Sequence, residues 1–96
     1  MYLKIHKLKD RNVVALCDKE LIGKRFEQGK LQLDIIERFY KGDELPKNEI
    51  VKILKNCSNL NVVGKRSIKL ALELGVISKD HIIKIKGVPH GQSTIL

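Results

Sequence analysis

Hydrophobic positions recur along this chain with two spacings, and each spacing predicts an element. From Tyr2 to Leu8 they alternate imperfectly, with Leu3 and Ile5 on one side and Lys4 and His6 on the other, which predicts a half-exposed strand. Lys9-Asp10-Arg11-Asn12 is a polar break of hairpin length. Val13-Val14-Ala15-Leu16-Cys17 is then apolar throughout, as a strand buried on both faces requires. Leu31, Leu33 and Ile35 alternate with Gln32 and Asp34, a third strand with one wet face.

The spacing then changes to that of a helix. Pro46 is suited to the first helical position, and Ile50, Val51, Ile53, Leu54 and Cys57 follow on one side of the wheel. A short apolar run, Leu60 to Val63, stops at Gly64. Beyond it Ile68, Leu70, Ala71, Leu72 and Leu74 form a broad apolar arc opposite Lys65, Arg66, Lys69 and Glu73. Gly75 is placed to end that helix in a left-handed conformation. His81 to Lys86 is read as the last strand.

The intervening stretches are read as connections. Asp18 is a natural cap for a single helical turn ending at Gly23, and Lys24 to Lys30 is a charged link anchored by Phe26. Glu37 to Glu44 is a turn-rich loop, Gly87 to Gln92 a turn, and residues 93–96 a flexible tail. The expected order is β-β-(short α)-β-α-(short β)-α-β. This is an α+β fold: one domain over residues 1–92, with a small mixed or antiparallel sheet of about four strands and two main helices.

Composition narrows the partners. Nineteen basic residues against eleven acidic give a formal charge of +8, which favours an anionic partner, RNA or a ribonucleoprotein first. The excess is split: residues 1–30 and 61–96 each carry +4, and residues 31–60 are neutral. Four aromatic residues leave an aliphatic core. Two cysteines forty residues apart, with no apolar run of signal or membrane length, imply reduced thiols, a cytoplasmic location and no membrane partner.

Candidate chemistry gathers at four places. Gly64-Lys65-Arg66-Ser67 sets a glycine and two cations at a helix start, where unpaired N–H groups favour an anion such as phosphate. It is not a nucleotide-binding loop, because Asn59 stands where that motif needs its first glycine and Arg66 follows the lysine. Cys17-Asp18 at a strand end invites a nucleophile reading, with His90 as base and Asn61 in the pocket. Phe39-Tyr40 offers a ring for base stacking, Phe39 turning inward and Tyr40 outward. Pro89-His90-Gly91-Gln92 holds an imidazole on a constrained segment. His6, Cys17, Cys57, His81 and His90 lack the spacing of a metal site, and neither metal nor cofactor is expected.

Cys17-Asp18-x-Glu20-Leu21-x-Gly23, Phe39-Tyr40-x-Gly42, Asn61-x-x-Gly64 and Gly87-Val88-Pro89-His90 together resemble the archaeal domain of unknown function 424 family across nearly the whole chain. That resemblance implies a cytoplasmic protein of one α+β domain and supplies no assigned activity or catalytic residue. The reading of the residues is an RNA-binding or ribosome-associated accessory domain. Its expected surface comprises Lys24, Arg25, Tyr40, Gly64, Lys65, Arg66 and Lys69. The alternative is a small enzyme built on Cys17, Asp18 and His90 near Asn61.

Overall fold

The two strands that run parallel, Asn12–Cys17 and Asn59–Val63, lie side by side in the interior of the sheet. In the computed structural model, which describes residues 1–94, β1 (Tyr2–Lys7) and β2 (Asn12–Cys17) form the expected hairpin. β3 (Arg25–Gln28) and β4 (Leu31–Asp34) form a second, separate hairpin. Then come the single-turn α1 (Glu37–Tyr40), α2 (Lys47–Asn56), β5 (Asn59–Val63) and α3 (Lys65–Glu73). β6 (Ile82–Ile85) and β7 (Val88–Thr94) close the chain. The main sheet has the order β1-β2-β5-β7-β6, with only β2 and β5 parallel. The mixed α+β architecture with two main helices is as expected, with more strands than the hydrophobic pattern revealed.

Alternation along the central strands divides the core in two. Leu3, Val14, Leu16, Leu60 and Val62 face α2 and α3, meeting Ile50, Leu54, Ile68, Leu70 and Ala71. Ala15, Cys17, Val63 and Ile85 face the other way, against Leu33, Ile35 and Tyr40. β2 is covered on both sides, which accounts for its unbroken apolar run. α3 ends as its glycine requires: Gly75 has φ 70°, its N–H reaches Leu72 O, and Val76 N–H reaches Ala71 O, a Schellman closure.

Four stretches depart from the sequence reading. Lys24 to Lys30 contains β3, which carries a single apolar residue, Phe26, and is held by pairing with β4 rather than by an apolar face of its own. Glu37 to Glu44 opens with the one-turn helix α1, then passes so close to β1 that Asp43 and Leu3 exchange both backbone hydrogen bonds, 3.0 and 2.9 Å. This bridge covers part of an exposed sheet edge. Pro46 is the residue before α2, one place earlier than expected, and its carbonyl accepts from Ile50 N–H.

The largest departure is β7. Gly87 is a turn residue, together with Lys86, both at positive φ (79° and 53°), as a two-residue type I′ hairpin demands. Val88–Thr94 is not a turn and tail but a strand paired on both sides. Pro89 and Gly91 hide it from propensity rules. A Cβ at Gly91 would lie 2.5 Å from Ile77 Cδ1 and 3.2 Å from His81 O, so Ile77 packs directly over this glycine. Ser93 and Thr94 of the expected tail pair with Leu60 and Asn59, and residues 95 and 96 lie outside the described residues.

Gly42 provides the test of the β1 edge contact. A Cβ there would stand 2.2 Å from Leu3 O, a backbone atom that cannot swing away. Gly42→Ala is expected to cost about 2–4 kcal/mol in denaturant unfolding. Gly75→Ala has open space around it and should cost only the left-handed backbone term, about 1 kcal/mol.

Candidate functional site

The site is built around the junction where β2 and β5 end. Asp18 directly follows β2, and its N–H donates to Val63 O at 3.1 Å, continuing the parallel ladder by one residue. This aims the Asp18 side chain across the start of α3. Its Oδ1 accepts from Ser67 N–H (2.8 Å) and Ser67 Oγ–H (2.7 Å), and Oδ2 accepts from Arg66 N–H (3.1 Å). The carboxylate is 3% exposed. The positive end of α3 is therefore filled by the protein's own anion. The expectation of open N–H groups at this helix start is corrected on that point: two of them are taken. Gly64 serves the same junction. Its φ of 107° suits glycine, and a Cβ there would fall 2.3 Å from Asp18 Cγ. Asp18 still precedes a 3₁₀ turn, Lys19–Leu21, but makes no side-chain cap to it.

The other motif residues converge on the same three strands. Val63 pairs with both Cys17 and His90 in register, and Gly64 N–H donates to Pro89 O at 2.9 Å. Asn61, two residues back on β5, accepts at Oδ1 from Tyr40 OH (2.7 Å) and from His90 Nε2–H (3.0 Å). Burial, with the neighbouring Cys17, pushes the Tyr40 phenol up to about 12, so it stays a donor. Burial lowers the pKa of His90, favouring the neutral ring.

Convergence does not make Cys17 an activated nucleophile. The thiol is 0% exposed and donates to Asp18 O at 3.1 Å. Burial, reinforced by the charges of Asp18 and Glu20, pushes it up to about 12. His90 turns its Nε2 to Asn61 and forms no hydrogen bond with Cys17. Tyr40, expected outside among the cations, is 5% exposed and has no open ring face for a base. Phe39 instead stacks on His6, 4.4 Å between ring centroids and 14° between planes, while His6 Nε2 meets Phe39 O at 2.8 Å. That pair was missed because thirty-three residues separate its members.

The cations divide between two surfaces. Lys65 and Lys69 on α3 line a groove of about 690 Å³ together with Lys79 and Lys84, floored by Ile68, Leu72 and Ile82. Glu73 shares this groove. Arg66 borders the adjoining pocket, which Lys65 also borders, with Asp18, Glu20 and Leu21. Lys24 is tied by its N–H to Leu21 O and so stands near that pocket, whereas Arg25 pairs with Glu27 at 2.9 Å. Lys79 and Lys84 were not singled out from the sequence, because only the sheet order brings their segment beside α3. Among the described residues, no three His, Cys, Asp or Glu side chains cluster as metal ligands, and no helix is long and apolar enough to cross a membrane.

Two outcomes test this description of the junction. Asp18→Ala strands three donors at a buried helix start and is expected to cost about 3 kcal/mol, whereas Ser67→Ala should cost about 1 kcal/mol. Chemical denaturation of both variants measures the difference. Thiol labelling of the folded protein at about pH 8 should modify Cys57 alone, and Cys17 only when the protein unfolds. Rapid labelling of both would contradict the burial of Cys17.

Comparison with known proteins agrees with this architecture. A crystal structure of an uncharacterized conserved protein from Methanopyrus kandleri superimposes with a TM-score of 0.80 at 29% identity, covering 99% of this chain and 90% of that one. A comparison with curated proteins found no match. The model of the family described as "Protein of unknown function (DUF424)" matches residues 6–96. With the motif residues meeting at one junction of a shared fold, the chain belongs to the DUF424 family.

Proposed function

We propose that this protein is a small RNA-binding or ribosome-associated accessory domain that contacts the phosphate backbone through the lysine groove beside α3. The observation that carries the reading is the set of cations there. Lys65, Lys69, Lys79 and Lys84 line one groove, and none of them forms an ion pair among the described residues. Cations left in water beside one another hold counterions, and a polyanion that displaces those counterions gains their release entropy. The overall charge of +8 adds long-range attraction. Arg66 borders the adjoining pocket, and Lys24 stands near it. Phosphate is held here by side-chain charge rather than by the helix N-terminus, since Asp18 occupies that place.

The enzyme alternative on Cys17, Asp18 and His90 draws no comparable support. Its thiol is protonated and enclosed, and its carboxylate is engaged by α3.

A salt titration of binding to a single-stranded RNA oligomer tests the proposal. Four lysine–phosphate contacts predict a slope of log K against log salt of roughly −3. Lys65→Glu with Lys69→Glu should weaken binding at least tenfold at low salt and flatten the slope by more than 1. Unchanged affinity and slope in that variant would move the interface elsewhere.

A further inference from the structure

The second face of the sheet is covered only in part. The β3–β4 hairpin and α1 close over Ala15, Cys17, Val63 and Ile85. On that same face, register sets His90 beside Ile83, Asn61 beside Gln92 and Asn59 beside Thr94. Ile83, Gln92 and Thr94 are exposed, and Asn59, Asn61 and His90 are half-buried. The result is an open, mostly polar sheet surface bordered by an enclosed core.

At the border between these halves stands the Tyr40–Asn61–His90 network. Its outward atoms follow from its inward ones. The Asn61 amide oxygen is an acceptor only, so His90 carries its proton on Nε2 and presents a lone pair at Nδ1. Tyr40 OH and His90 Nε2–H both bond that oxygen, which fixes the amide plane and turns Nδ2 away from them. Neither Asn61 Nδ2 nor His90 Nδ1 has a protein partner among the described residues. No side-chain nitrogen or oxygen is both buried and unpaired there, so both atoms reach solvent.

An amide donor and an imidazole acceptor, each oriented from behind by a hydrogen bond, suit a ligand edge that carries both an acceptor and a donor. Unpaired nucleobases carry such edges, and duplexes hide them. Ile83, exposed beside His90 on this face, also gives the base an apolar side chain to lie on. Alternation along the edge strand β6 turns Lys84 to the groove side and Ile83 to the open face, so one strand of RNA can pass round this edge from phosphate contacts to base contacts.

We propose that Asn61 and His90, braced by Tyr40, form a base-reading site on the open sheet face that takes an unpaired nucleobase of single-stranded RNA. The site rests on the RNA-binding reading for its partner, but its contacts are separate from the lysines.

NMR of the full chain, following the Asn61 side-chain amide and the His90 imidazole, tests it. Three probes of equal length are titrated: single-stranded RNA hexamers of each base, a duplex, and an abasic ribose-phosphate hexamer. The proposal expects the Asn61 and His90 signals to move with at least one single-stranded hexamer and to stay still with the duplex and the abasic oligomer. Asn61→Ala or His90→Ala should weaken binding of the preferred hexamer about tenfold while leaving the salt slope unchanged. If lysine signals respond to the oligomers but Asn61 and His90 do not, the base site is overturned and the phosphate reading stands. If no oligomer binds, the phosphate reading fails, and titration with the four free nucleosides decides the base site: saturable shifts at Asn61 and His90 support it, and none overturns it. The measurements on the unaltered protein hold even where a substitution prevents folding.

Discussion

The contact on which the rest of the structure depends is that of the Asp18 carboxylate with the first turn of α3. Burying a carboxylate is costly unless charge-assisted hydrogen bonds replace its water. Here three donors do so, all from residues 66 and 67, at the end of the helix that favours negative charge. The bond also sets geometry. β2 and β5 run parallel and therefore cannot be joined by a tight turn. A link from the end of one to the helix that follows the other holds their register at the point where both stop.

From that junction the neighbouring positions follow. With Val63 held beside Cys17, β7 lies on its other side with His90 opposite Val63, and Pro89 O receives the Gly64 N–H. Asn61 then falls within reach of both Tyr40 and His90. Motif residues that suggest catalysis, a cysteine beside an aspartate with a distant histidine, thus form two separate devices. Cys17 and Asp18 belong to the enclosed junction. Asn61 and His90 stand at its margin, where one side of the network is packed and the other is wet.

Charge is arranged in the opposite sense. The buried anion satisfies the backbone of α3, while the cations of that helix stay in water and meet Lys79 and Lys84 along the groove. A lysine near a helix N-terminus opposes the dipole, and the Asp18 carboxylate offsets that unfavourable term from behind. The surface is thereby left positive without destabilising the helix that carries it.

Local pattern was enough to identify β1, β2, β4, α2, β5, α3 and β6, because each carries an apolar run or periodicity of its own. The Gly75 helix end was legible for the same reason: a left-handed residue is a local requirement. The positive charge was also present in the chain. What the chain did not disclose depends on partners distant in sequence. β7 contains Pro89 and Gly91, which local propensity rejects, and it is a strand because β5 and β6 pair with it from both sides. Its place beside Phe39 suggests an outward ring for Tyr40, yet only the sheet beneath α1 decides that it is buried. The Gly64 turn suggests a place for an outside anion, and the anion comes from the same chain, forty-eight residues before Arg66. Sequence determined which residues can pair, since hydrogen-bonding capacity and charge belong to each side chain; tertiary structure decided which ones do, since burial and distance belong to the fold.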